Sequence, residues 1–144
     1  MSQSLPLQDI KHLIPQKEPF TMVDTLLAFS STDIVSSLKI SKSNLFTDNE
    51  AFLEPGIIEN MAQTVALHTG YDFFLKGEKA PLGYIGAIKK AEVFKLPKIE
   101  ETITTEAKIL HEFMGVSLVE ATVWDSNKTL IAKAEMKTVI VSDE

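Results

Sequence analysis

Between Pro55 and about Lys76 runs a segment with helical spacing but no polar face, and a helix of that kind has to be enclosed rather than laid on a surface. Pro55 suits a first helical turn, where its missing N–H costs nothing, and apolar residues recur at Ile58, Met61, Ala62, Val65, Ala66 and Leu67. The other side carries Ile57, Met61 and Thr64, so the helix is apolar almost all round. At about 100° per residue, Glu59, Gln63, Ala66 and Gly70 fall on one line, two polar groups followed by two small residues that admit another backbone closely. Glu59 is therefore expected to sit half inside.

The rest of the chain must supply the enclosure. After Lys76-Gly77-Glu78 the period changes from 3.6 to 2, and Leu82 to Phe94, Thr102 to Phe113, Val116 to Asp125 and Leu130 to Val141 read as strands. In the last, Lys133, Glu135 and Lys137 alternate with Ala132, Ala134, Met136 and Thr138, the pattern of a sheet with one wet and one buried face. Turns at Met114-Gly115 and Asp125-Ser126-Asn127-Lys128 make the last three strands an antiparallel meander. Upstream, Leu7 to Leu13 reads as a short helix ended by Pro15. Phe20 to about Phe29 and Ile34 to Ile40 read as a hairpin about Ser30-Ser31-Thr32-Asp33, and Ser41 to Leu53 as a loop. The expected class is α+β, a long central helix wrapped by a curved antiparallel sheet as in the hotdog fold, with residues 1–144 as a single domain.

Composition narrows the chemistry. At 144 residues and 44% hydrophobic the chain can bury a core, and no linker, repeat or low-complexity tract divides it. Zero cysteines remove thiolate catalysis and sulfur ligands. His12, His68 and His111 lack metal-ligand spacing, so neither metal nor cofactor is expected. A net charge of −6 and the absence of a Gly-rich phosphate loop argue against nucleic acid, although Lys89, Lys90, Lys95 and Lys98 form a local basic cluster. Met1 to Phe20 lacks the form of a secretory signal and no apolar run is long enough for a bilayer, so a soluble cytoplasmic protein is expected, with no membrane span.

Of the titratable groups, Glu59 has the strongest claim as a general acid/base, with Gln63 one turn on to hold it. The plainer alternative is a first-turn acid that complements the helix dipole. His68, nine positions beyond Glu59, falls on about the opposite side of the helix and reads as a packed or dimer-contact histidine. His111 is in phase with Ile103, Ala107, Ile109 and Phe113 and is expected to point inward, whereas His12 faces solvent. Tyr84 and Phe94 are core residues first.

The segment Ile14-Pro15-Gln16-Lys17-Glu18-Pro19-Phe20-Thr21-Met22-Val23-Asp24 resembles the N-terminal signature of bacterial 3-hydroxyacyl-acyl-carrier-protein dehydratases of the FabZ type. Asn44-Leu45-Phe46, Ile58-Glu59-Asn60-Met61-Ala62-Gln63 and Gly83 to Lys89 through Phe94-Lys95-Leu96-Pro97 follow in that family's order. The shorter central loop and Ala62 to His68 look closer still to the dehydratase-like hotdog proteins of aryl-polyene and flexirubin pigment synthesis. The resemblance implies a hotdog dimer, or a hetero-oligomer with another hotdog chain, that converts a 3-hydroxyacyl thioester on acyl carrier protein to the trans-2-enoyl thioester. It implies Glu59 as the acid/base, Gln63 and Gln16 as positioning groups, and Gly56, Ile57 and Asn44 against the substrate. The N–H groups of Gly56 and Ile57 would polarise the thioester carbonyl.

Two histidines of that pattern are replaced. The loop from Phe46 to Pro55 has none, and the position after the first proline is Gln16, which hydrogen-bonds but exchanges no proton at neutral pH. Since one acid/base group contributes ~10²–10⁴-fold in rate, three readings stand: a dehydratase led by Glu59, a noncatalytic partner of an active hotdog chain, or an acyl thioesterase. Within the first, Glu59 works alone, Glu18 or Glu50 supplies a second carboxylate, or a histidine arrives from elsewhere.

Overall fold

The computed structural model describes residues 4–141. In chain order its elements are a 3₁₀ turn (Lys11–Leu13), β1 (Thr25–Phe29), β2 (Asp33–Lys39), α1 (Glu54–Leu75), β3 (Leu82–Val93), β4 (Thr102–Phe113), β5 (Val116–Trp124) and β6 (Leu130–Val141). The strands form one sheet in the order β1-β2-β4-β5-β6-β3, every pair antiparallel. β4, β5 and β6 make the expected meander, and β3 lies outside β6 at the edge.

The 22-residue α1 has Pro55 in its first turn and stops where Gly77 takes a positive φ of 69°. Gly77 N–H donates to Phe74 O and Glu78 N–H to Phe73 O, the Schellman pattern that satisfies the last carbonyls. Ile57 and Met61, one turn apart on one side, and Leu67, part of a turn around from them, are all fully buried, so a wide arc of the helix is enclosed. Removing such side chains from water contributes ~1.5–3 kcal/mol each. The sheet side of the core comes from alternating positions: Ile103 and Ala107 on β4, Val119, Ala121 and Val123 on β5, and Ala132, Ala134 and Met136 on β6. Irregular register in four of the five ladders bends the sheet toward the helix, giving the hotdog architecture.

Three local expectations need correction. The helix read over Leu7 to Leu13 contracts to the 3₁₀ turn, because Leu7 exchanges both backbone hydrogen bonds with Leu26 at 2.9 and 2.8 Å. The strand read from Phe20 starts only at Thr25, since Phe20 and Met22 turn their backbone groups to a side chain of α1 instead of a neighbouring strand. His111 is exposed rather than inward, because the ladder slips between Ile109 and His111 and breaks the alternation.

Candidate active site

Gln63 is fully buried and uses its whole amide. Its Oε1 accepts the Met22 N–H at 2.6 Å, and its Nε2 donates to Phe20 O at 2.8 Å and to Glu59 Oε1 at 2.9 Å. A backbone N–H can only donate and a carbonyl can only accept, so the two chain contacts fix which way the amide faces. What it offers Glu59 is therefore a donor. Helical spacing of four brings the two side chains together, and the segment 20–22 locks one of them. Glu59 itself is half-buried, as expected.

Beneath this pair α1 is tied to the sheet by polar groups. Asn60 Nδ2 donates to Met22 O at 2.7 Å and Asn60 Oδ1 accepts from Thr105 Oγ1 at 2.6 Å. Thr64 Oγ1 donates to Asn60 O at 2.8 Å and lies 2.7 Å from Ser36 Oγ. Asn60, Thr64, Ser36 and Thr105 are all fully buried, and each finds a partner. Sequence reasoning passed over Asn60 as part of a motif. The signal was an amide inside an apolar helix, which obliges partners.

At the entry of α1, the N–H groups of Gly56 and Ile57 share Leu53 O at 3.0 and 3.2 Å. Gly56 has to be a glycine: a Cβ there would lie 2.4 Å from the Phe52 ring and 2.7 Å from Phe46 Cβ. Asn44 serves the preceding loop, its Oδ1 accepting from Phe46 N–H at 2.8 Å and its Nδ2 lying 3.3 Å from Met22 Sδ. Where the resemblance would place a histidine, the loop instead winds around Asp48, whose Oδ1 accepts the N–H groups of Glu50 and Ala51 at 2.7 and 2.8 Å. Those bonds, that of Glu50 first, hold the Asp48 carboxyl below its ordinary value. Phe52 N–H to Pro97 O and Ile99 N–H to Glu50 O fasten the loop to the strand connection beyond β3. Glu50 and Glu18 are exposed.

Gln16 half-buries against a cavity of about 510 Å³ between α1, the 3₁₀ turn and the β3–β6 edge. Its Oε1 is the buried side-chain oxygen or nitrogen that, among the described residues, has no hydrogen-bond partner. Ala66, on the stripe below Glu59, and Ala62 beside it line the same cavity with Leu13, Leu82 and Ile85. Gly70 continues that stripe and lets the 3₁₀ turn come close, since a Cβ there would fall 1.8 Å from Leu13 O. Glu59 and Gln63 are thus joined directly, Gln16 lines the cavity along the next turns of α1, and Asn44 is committed to its loop.

The remaining candidates have other partners. His68 Nε2 lies 2.8 Å from Ser30 O and its ring stacks on Phe29 at 4.9 Å, a packed histidine. His12 is exposed with its ring edge against Phe74 at 5.2 Å. Lys90 pairs with Glu135 at 3.3 Å and Lys95 with the buried Asp125 at 3.0 Å, so much of the basic cluster is neutralised locally. Among the described residues no group of three or more His, Asp or Glu is placed to hold a metal ion, and no helix is long and apolar enough to cross a membrane.

Residues 8–144 match the model of the ApeP-like family, described as ApeP dehydratase. The 3-hydroxyacyl-[acyl-carrier-protein] dehydratase FabZ of Clostridium botulinum is 28% identical over 97% of this chain and 99% of its own length. That of Wolinella succinogenes is 26% identical over 96% and 97%. Among solved structures, the dehydratase heterocomplex ApeI:P from Xenorhabdus doucetiae contains a chain that superposes with a TM-score of 0.79 at 14% identity, covering 98% of this chain and 94% of that one. A hypothetical thioesterase from Streptococcus pneumoniae, with coenzyme A, superposes at 0.68 with 9% identity over 83% and 86%. At such identities the superpositions establish the hotdog fold.

Proposed function

The chain belongs to the ApeP-like dehydratase family, and on that footing we propose that it dehydrates a 3-hydroxyacyl thioester carried on acyl carrier protein to the trans-2-enoyl thioester, with Glu59 as the acid/base. The observation that carries the reading is the Glu59–Gln63 pair, held at a helix entry by two backbone contacts from the segment 20–22. The carboxylate takes the proton from C2. The electron pair forms the C2–C3 double bond and the C3 hydroxyl departs, receiving that proton and leaving as water. Negative charge developing on the thioester oxygen calls for an N–H donor. The N–H groups of Gly56 and Ile57 are the candidates, and since both already donate to Leu53 O, the one that serves must share or leave that bond. Gln16 Oε1, buried without a partner, suits a donor on the substrate such as the C3 hydroxyl.

The surface supports a finer setting. β3 is an edge strand of 12 residues with Leu82, Tyr84, Ile85 and Ile88 exposed, an arrangement that a second hotdog chain, identical or related, would cover by pairing with it. A cytoplasmic dimer or hetero-oligomer serving fatty-acid or polyene-pigment synthesis fits the family and the absence of cysteine. Mass spectrometry with a panel of 3-hydroxyacyl carrier proteins tests the activity. Enoyl product from the wild type and its loss in Glu59→Gln support it, and no product from any chain, with or without a second hotdog subunit, overturns it.

A second reading has its own observation. The loop around Asp48 carries no histidine and both other carboxylate candidates, Glu18 and Glu50, are exposed, which suits a noncatalytic partner in a heteromeric dehydratase. Co-purification with a histidine-bearing hotdog chain whose activity survives Glu59→Ala would select this reading.

A further inference from the structure

Ser36 on β2 and Thr105 on β4 are cross-strand partners, and both are fully buried with their hydroxyls bonded to groups of α1. Two residues of α1, one turn apart, meet them: Thr64, whose Oγ1 lies 2.7 Å from Ser36 Oγ, and Asn60, whose Oδ1 accepts from Thr105 Oγ1 at 2.6 Å. Every proton in this group has one place to go. The Met22 carbonyl can only accept, so Asn60 turns its Nδ2 to Met22 and its Oδ1 to Thr105, whose hydroxyl must donate. Thr64 gives its proton to Asn60 O, so the proton between Thr64 and Ser36 comes from Ser36. The Asn60 amide therefore has a single orientation, anchored on the sheet.

Met22 is where this group reaches the candidate site. It is fully buried, and both of its backbone groups go to side chains of α1: its N–H to Gln63 Oε1 at 2.6 Å and its C=O to Asn60 Nδ2 at 2.7 Å. The two groups lie on either side of one Cα, so with both held, φ and ψ of residue 22 cannot change without breaking a buried hydrogen bond. With the N–H held alone, the segment could rotate about that contact and carry the Gln63 amide with it. The Nε2 that donates to Glu59 Oε1 at 2.9 Å would then lose its fixed direction. Asn60 lies beside the fully buried Met61 and one turn from Ile57, where an amide costs free energy that only its partners offset.

We propose that Asn60 is a positioning residue for the dehydration: by holding the Met22 carbonyl it fixes the backbone that orients Gln63, and through Gln63 it sets the Glu59 carboxylate against the substrate. The inference rests on the dehydratase reading of Glu59. Asn60 is fully buried and acts through Met22 and Gln63, not by touching the substrate. The Ser36–Thr64 contact belongs to the same buried group but ties α1 to β2 without bonding Met22. The two branches separate positioning from stability.

The test compares Asn60→Leu with Ser36→Ala in the assembly that the wild type requires. Both remove buried hydrogen bonds, and both should lower the urea midpoint. Only Asn60→Leu should lower kcat for enoyl formation, by at least about tenfold with KM within about twofold of wild type, because the acid is misplaced while substrate binding is intact. In a Glu59→Gln background Asn60→Leu should cost no further rate, since no carboxylate remains to be positioned. An unchanged kcat in folded Asn60→Leu, an equal loss in Ser36→Ala, or the full loss repeated in the Glu59→Gln background would overturn the proposal. Heteronuclear NMR supplies a readout besides activity: the Gln63 side-chain amide and Met22 N–H signals should shift and exchange faster in Asn60→Leu but not in Ser36→Ala. If the wild type gives no enoyl product, the dehydratase reading fails, and these signals decide separately whether Asn60 orients Gln63, unmoved signals rejecting it. Should Asn60→Leu not fold, Asn60→Ser, whose hydroxyl is too short to span the distance to Met22 O, takes its place in every comparison.

Discussion

Gln63 Nε2 lies 2.9 Å from Glu59 Oε1, and the amide that makes this contact cannot turn over, because Met22 N–H holds its oxygen at 2.6 Å. The acid at the mouth of α1 is thereby positioned by a residue whose own orientation is set 41 positions away in sequence. This couples the N-terminal segment to the candidate chemistry.

Gln63→Ala tests the coupling. It leaves the buried Met22 N–H without an acceptor, so stability should fall by ~1–3 kcal/mol in urea titration. If Gln63 also positions Glu59, the pH–rate profile of the folded variant should shift as well. A loss of stability with an unmoved profile would assign Gln63 a structural role alone.

Gly56→Ala places a methyl group 2.4 Å from the fully buried Phe52 ring. Phe52 has no free side to retreat to, so the loop over residues 46–53 must shift, at a cost of ~1–3 kcal/mol. Thermal unfolding checks the stability. Because the same loop borders the entry of α1, activity should fall by more than the lost folded fraction explains.

Gly70→Ala acts at the other end of the stripe. Its Cβ would meet the Leu13 carbonyl, which is backbone and cannot rotate away. The 3₁₀ turn should be displaced, lowering the urea midpoint by the equivalent of ~1–3 kcal/mol. Faster amide exchange over residues 10–16 would locate the change.

Acid stability should depend on Asp125. The N–H of Thr129 and the Lys95 ammonium hold its carboxyl below the ordinary 3.8, with Asn127 N–H adding to them. A lowered folded pKa stabilises the protein fully above the unfolded value and less as pH falls through the folded one, so this contribution should begin to fall below about pH 3.8 and fade as pH drops further. Lys95, raised above 10.5 chiefly by its hydrogen bond to Asp125, is also stabilising but with the opposite pH dependence, its contribution being lost only as pH rises beyond that value. Asp125→Asn should lower stability at neutral pH and flatten the acid limb. An acid limb as steep as in the wild type would contradict the assignment.

Local period carried much of the architecture. α1 spans Glu54–Leu75 against an expected start at Pro55 and end near Lys76, and β4, β5 and β6 fall within a residue of their expected bounds. The place of β3 outside β6 was not legible, because strand order is decided by pairings between distant segments that no periodicity records. The same limit hid the backbone partners of Gln63, whose contacts pulled Phe20 and Met22 out of the strand read there. Glu59 and Gln63 were legible as neighbours from helical spacing alone. That the loop from Phe46 to Pro55 carries no histidine was legible in the sequence, whereas the turn around Asp48 that fills that loop required coordinates.

The central claim is that the Glu59 carboxylate removes the proton from C2 of the thioester. Hydrogen exchange at that carbon measures this step directly, by incubating a 3-hydroxyacyl carrier protein in deuterated water with the protein, alone and with any hotdog partner it requires, and following deuterium at C2 by mass spectrometry. Deuterium should enter with the wild type and slow by ~10²–10⁴-fold with Glu59→Gln. Exchange at the wild-type rate in the folded Glu59→Gln protein would contradict the account.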